Sequence, residues 1–160
     1  EETINAIYAS DLSRAWDTAQ TIAEHHVCSV KPIAGLREAS FGKWEGYTYA
    51  EIREEDPEAV QAWHEDMANF APPGGESLPQ LSQRVIATYA QIHENHAGEE
   101  TILFVAHGGS LQTLIAHLLG LNPAQFWQFH LNPCSLSVIS VYEEGAILNL
   151  LNDTCHLSNV

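Results

Sequence analysis

Apolar residues at Leu12, Ala15, Trp16, Ala19, Ile22 and Ala23 recur at the offsets of one helical stripe, i, i+3, i+4, i+7, i+10 and i+11. Just before them, residues 4–9 form a short apolar run suited to a strand, and Ser10 or Asp11 is placed to cap the helix. Residues 30–36 read as a second short extended piece. Between residues 36 and 49, glycines alternate with Phe41, Trp44 and Tyr47, the pattern of a loop anchored by aromatics. Acidic helical sequence covers residues 50–68 and is interrupted by Pro57, and Ala71-Pro72-Pro73-Gly74-Gly75 then breaks the chain. A long helix follows, lined by Leu78, Leu81, Val85, Ile86, Tyr89 and Ile92.

Residues 101–106, Thr-Ile-Leu-Phe-Val-Ala, are apolar on both faces, as in a parallel strand covered by helices above and below. His107-Gly108-Gly109-Ser110 comes next, and a helix follows through Leu111, Leu114, Ile115, Leu118 and Leu119. Residues 135–142 and 146–152 predict a hairpin turning at Glu143-Glu144-Gly145. Two strand-to-helix units and a late hairpin predict an α/β domain with a mixed sheet. No repeat, linker or low-complexity tract divides the 160 residues, so one domain over 1–160 is expected.

Charge narrows the partners. Six Lys and Arg against 21 Asp and Glu give a net charge of −15, which disfavours duplex nucleic acid and anionic membranes. No apolar run reaches the ~20 residues that span a bilayer. Three widely spaced cysteines, Cys28, Cys134 and Cys155, form neither a disulfide framework nor a zinc knuckle, which sets a reducing, cytoplasmic location as the expectation. His93 and His96 stand three apart with no third ligand at matching spacing, so no metal site is expected.

Ligands of open α/β sheets bind beyond the carboxyl ends of strands, where helix N-termini aim amide donors outward. His107 ends a strand there, and Gly108 and Gly109 let an oxyanion approach the backbone closely. Arg14 lies one turn into the first helix, where its planar fork can grip phosphate oxygens or can pair with Asp11 or Asp17. Glu38 is distinguished from the other carboxylates by its loop, because aromatics packed around it would raise its pKa and suit it to proton donation.

Four segments occur in one order: Ser10-Asp11-Leu12-Ser13-Arg14-Ala15 with Thr18-Ala19; Leu36-Arg37-Glu38 with Phe41-Gly42-Lys43-Trp44-Glu45-Gly46; Pro73-Gly74-Gly75-Glu76-Ser77; and Val105-Ala106-His107-Gly108-Gly109. Together they resemble the histidine phosphatase superfamily, also called the phosphoglycerate mutase-like family. Within it, Leu36-Arg37-Glu38 with Gly42-Lys43-Trp44-Glu45-Gly46 is most similar to the alpha-ribazole phosphatases of cobalamin biosynthesis and to small broad-specificity phosphatases. The resemblance implies a three-layer α/β fold with a mostly parallel sheet flanked by helices. It also implies a phosphomonoester substrate, no cofactor or metal, and a phosphohistidine intermediate that water hydrolyses. By match, Arg14 clamps phosphate, Glu38 protonates the leaving alkoxide, and His107 with the Gly108 amide stabilises charge on the transferring oxygens. A homodimer is compatible with it.

The family's first motif, Arg-His-Gly, which carries the nucleophile at the end of the central strand, does not occur in this sequence. The expectation is therefore an N-terminally truncated domain that lacks the central strand, holds phosphate poorly and does not turn over alone. A short segment between Gly46 and Gly74 favours a hydrolase over a mutase-type phosphotransferase, which would have to retain its intermediate. A non-catalytic phosphate-binding or interaction domain is the third reading.

Overall fold

The computed structural model describes residues 3–66, 68–96 and 98–158. Its first strand, β1 (Ala6–Ala9), is buried along its whole length because strands flank it on both sides and helices cover both faces. It pairs in parallel with β2 (Val30–Pro32), in register Ile7 to Val30, and with β3 (Ile102–Val105), in register Ile7 to Leu103. The strand order is therefore β2-β1-β3.

Alternation along β1 sends its side chains to two separate cores. Ile7 and Ala9 meet Ala19, Trp16 and Ile22 of α1 (Ser13–Ala23). Ala6 and Tyr8 meet Leu36, Phe104 and Ile92, the last from α4 (Leu78–His93). On that second face α4 packs against α5 (Gly108–Leu118) through Leu81, Val85 and Leu114. These are the three layers expected.

The acidic segment forms α2 (Tyr49–Glu55) and α3 (Pro57–Glu65). Pro57 starts α3 rather than merely interrupting a helix. It occupies the first turn, where no intrahelical N–H is needed, and the Asp56 side chain accepts from the Ala59 amide. Trp44, from the preceding loop, packs on Trp63 of α3 and on Phe70.

The structure changes two expectations about strands. The hairpin, β4 (Leu136–Tyr142) and β5 (Gly145–Asp153), is a separate antiparallel pair and not part of a mixed sheet. The residues of β3 are half-buried rather than buried on both faces. Among the described residues β1 is the one ladder partner of β3, so its far flank is less covered. No helix among the described residues is long and apolar enough to cross a membrane. All three cysteines are free thiols.

Candidate functional site

Parallel pairing sets the ends of β1 and β3 side by side, with Ala9 opposite Val105 and the Ser10 amide donating to the Val105 carbonyl at 2.9 Å. The next side chains along both strands therefore meet. Ser10 Oγ and His107 Nε2 lie 2.8 Å apart, with Ser10 fully buried and His107 nearly so. Ser10 thus does not cap α1, as its position in sequence suggested. Leu12 stands at the cap position with no side-chain hydrogen bond, and the Ser10 hydroxyl, which accepts from the Leu12 amide at 3.3 Å, orients an imidazole.

The backbone of His107 is held as firmly as its ring. The Ser110 hydroxyl accepts from the His107 amide at 3.2 Å and donates to the His107 carbonyl at 3.1 Å. Burial pushes the imidazole below the ordinary histidine value of 6.5. The positive charges of Arg14 and Arg84 act in the same direction, and Glu38 opposes them. Burial and the two guanidinium charges thus favour the neutral imidazole.

Glu38 reaches the same place from a loop 69 positions earlier in sequence than His107, and its carboxylate is fixed by amides. Oε1 accepts from the Ala39 amide at 2.9 Å, and Oε2 accepts from the Gly109 amide at 3.0 Å. A carboxylate on the first turn of α5 also meets the positive end of the helix dipole. A side chain at position 109 could not share this space, because a Cβ there would stand 2.5 Å from Glu38 Oε1. The aromatic loop expected to surround Glu38 directs its rings elsewhere. Trp44 packs on Trp63 and Phe70, and Phe41 is exposed.

Arg14 is exposed on the first turn of α1, close enough for its charge to act on His107. The alternative role open to it in sequence, pairing with Asp11, is taken by another residue. Arg37 grips Asp11 in a two-point contact, Nε to Oδ1 and Nη2 to Oδ2, each at 2.6 Å. Among the described residues no carboxylate pairs with the Arg14 guanidinium. Gly108, the first residue of α5, adds an amide beside His107. Of the residues singled out in sequence, His107, Glu38 and Gly108 are brought together at the tip of β3, and Arg14 borders them.

Three further participants are less evident from the sequence, which offers Ser10 or Asp11 as a cap, sets Glu76 only at a helix start near the expected site, and gives Arg84 no place. Arg84 had one available signal: it is one of four arginines in a chain of net charge −15, and it borders the apolar stripe of α4.

Residues 1–154 match the model of the histidine phosphatase superfamily, branch 1. The chain is 36% identical over 155 residues to a bifunctional protein of Mycobacterium tuberculosis, covering 96% of this chain but only 42% of that protein. It is 32% identical over 156 residues to phosphoserine phosphatase 1 of Hydrogenobacter thermophilus, covering 98% of this chain and 74% of the relative. Among solved structures, the alpha-ribazole phosphatase of Shigella flexneri superposes with a TM-score of 0.89 at 31% identity, over 96% of this chain and 75% of that one. A match across nearly the whole chain in family model, sequence and fold makes this chain a member of the histidine phosphatase superfamily, branch 1.

Proposed function

We propose that this domain belongs to a phosphomonoesterase that works through a phosphohistidine, with alpha-ribazole 5′-phosphate as substrate. One observation carries the reading. A guanidinium with no carboxylate partner among the described residues (Arg14), a buried imidazole (His107) and a carboxyl held at a helix N-terminus (Glu38) border one point beyond β1 and β3. A tetrahedral dianion needs those three chemistries together: a fork to bind two oxygens, a polarisable donor for a third, and an acid for the departing oxygen.

In this mechanism a histidine nitrogen attacks phosphorus and the bond to the ester oxygen breaks. Glu38 gives its proton to that oxygen, so the alcohol leaves neutral. Water then attacks the phosphohistidine, Glu38 takes the water proton, and phosphate departs. The nucleophile belongs to an Arg-His-Gly motif that is not among these 160 residues. Arg14, His107 and the Gly108 amide supply charge stabilisation in both steps. Support for the substrate comes from the Shigella relative's name, and the Hydrogenobacter relative makes phosphoserine the comparison to beat.

The test is phosphate release from alpha-ribazole 5′-phosphate, phosphoserine and p-nitrophenyl phosphate by the longest reading frame containing this chain, beside the 160-residue chain itself. Expected are turnover, with preference for alpha-ribazole 5′-phosphate, by a frame that carries Arg-His-Gly upstream, and phosphate binding without turnover by the shorter chain. Normal turnover by the shorter chain would overturn the phosphohistidine route. Transfer without release would make the protein a mutase, and a frame without the motif would leave a phosphate-binding domain.

A further inference from the structure

Arg84 projects from α4 into the loop that carries Glu38, and all five of its N–H donors are used. Nε and one Nη2 hydrogen meet the two oxygens of Glu76 at 3.0 and 2.7 Å. Nη1 donates to the carbonyls of Gly35 at 2.9 Å and Arg37 at 3.0 Å, and Nη2 also reaches the Glu38 carbonyl at 3.4 Å. The carbonyls of the residue before Glu38 and of Glu38 itself are thus tied to one rigid planar group. A lysine could replace the charge but could not span these acceptors.

Glu76 is itself held in place from the opposite side. Its amide donates to the Ser40 carbonyl at 2.8 Å, and the Lys43 amide donates to the Pro73 carbonyl at 3.0 Å. The two loops approach so closely that a Cβ on Gly75 would lie 2.6 Å from Ser40 O, and one on Gly42 would lie 2.4 Å from Gly75 N. The two glycine-bearing segments therefore form a backbone clasp. Arg84 and Glu76 close it directly beneath the residue whose carboxyl rests on the Gly109 amide.

We infer that Arg84 and Glu76 are positioning residues, whose paired side chains set the Glu38 carboxyl over the N-terminus of α5. Neither is a catalytic residue. Their effect on turnover rests on the phosphatase reading above, whereas their effect on Glu38 can be observed without any turnover.

The experiment uses the 160-residue chain and records the Gly109 amide resonance in wild type, Glu38→Gln, Arg84→Lys and Glu76→Gln. Glu38→Gln fixes the signal for loss of the carboxylate acceptor. Arg84→Lys and Glu76→Gln are expected to move the resonance most of the way to that position, although Glu38 is intact and the rest of the spectrum stays dispersed. A Gly109 resonance at its wild-type position in either folded variant overturns the assignment. So does loss of folding in both, which would make the pair structural.

In the active reading frame, the same two variants should lose about tenfold or more in kcat on alkyl phosphates and under about threefold on aryl phosphates, whose leaving groups need no proton. Equal losses on both would also overturn the inference. A wild-type frame inert on every ester would remove the phosphatase reading and leave the Gly109 result standing.

Discussion

Gly109→Ala separates the placement of Glu38 from the stability of the fold. Gly109 does not have a positive φ, so alanine adopts its backbone conformation without strain. The new Cβ would stand 2.5 Å from Glu38 Oε1, the free end of a flexible side chain, which can swing away. Two contributions to stability oppose each other. Replacing glycine in a helix gains up to about 1 kcal/mol. Losing the bond from the Gly109 amide to a carboxylate costs at most about 1.5–3 kcal/mol, and less here because Glu38 is half-buried and partly screened by water. The net change should stay below about 1.5 kcal/mol, a Tm shift of about 5 °C at most for a domain of this size. Function should respond very differently. With the acid displaced, kcat/KM on alkyl phosphates should fall by about two orders of magnitude, the usual contribution of a positioned general acid, while aryl phosphates should change little. Calorimetry with a two-ester assay on the active reading frame reads both quantities. A Tm drop beyond about 10 °C would show that Gly109 is needed for packing. Parallel losses on both esters would show that Glu38 positions substrate instead of donating a proton.

Arg14→Ala should lower kcat/KM by about two or more orders of magnitude, as loss of a transition-state charge partner does, with Tm unchanged because the side chain is exposed and makes no ion pair among the described residues; unchanged kinetics would place Arg14 outside the site. Gly42→Ala should destabilise strongly, since residue 42 has φ +54° and its Cβ would meet backbone at 2.4 Å. The left-handed conformation alone costs about 1–2 kcal/mol for a non-glycine residue, so a thermal melt within a degree of wild type would refute the clasp. The His107 imidazole is held below 6.5 by burial and by Arg14, so below that pH the unfolded chain binds more protons at this position than the folded one. Its contribution to stability is present above pH 6.5 and is lost as pH falls through the folded value. Urea melts of wild type minus His107→Gln should show that difference shrinking on acidification, and a difference independent of pH would contradict it.

Periodicity along the chain was sufficient to find nearly every element, because burial of a face is recorded locally. The stripe from Leu12 to Ala23 became α1, the apolar run after residue 100 became β3, and the turn at Glu143 and Glu144 joined β4 to β5. The motif segments also marked their positions in the fold, since a histidine followed by two glycines at a strand end requires a close backbone approach. Which partner each polar group finds was decided only by the tertiary structure. Asp11 could reach Arg14 three residues on and pairs with Arg37 instead. Ser10 could cap and instead meets an imidazole 97 residues away. Arg84 finds carbonyls 46 to 49 residues distant, and Glu38 finds an amide 71 residues on. Spacing in sequence sets the face a side chain presents. Hydrogen bonds between distant segments form only when parallel strand pairing and the meeting of two glycine loops bring their backbones within reach, and no local pattern encodes that distance.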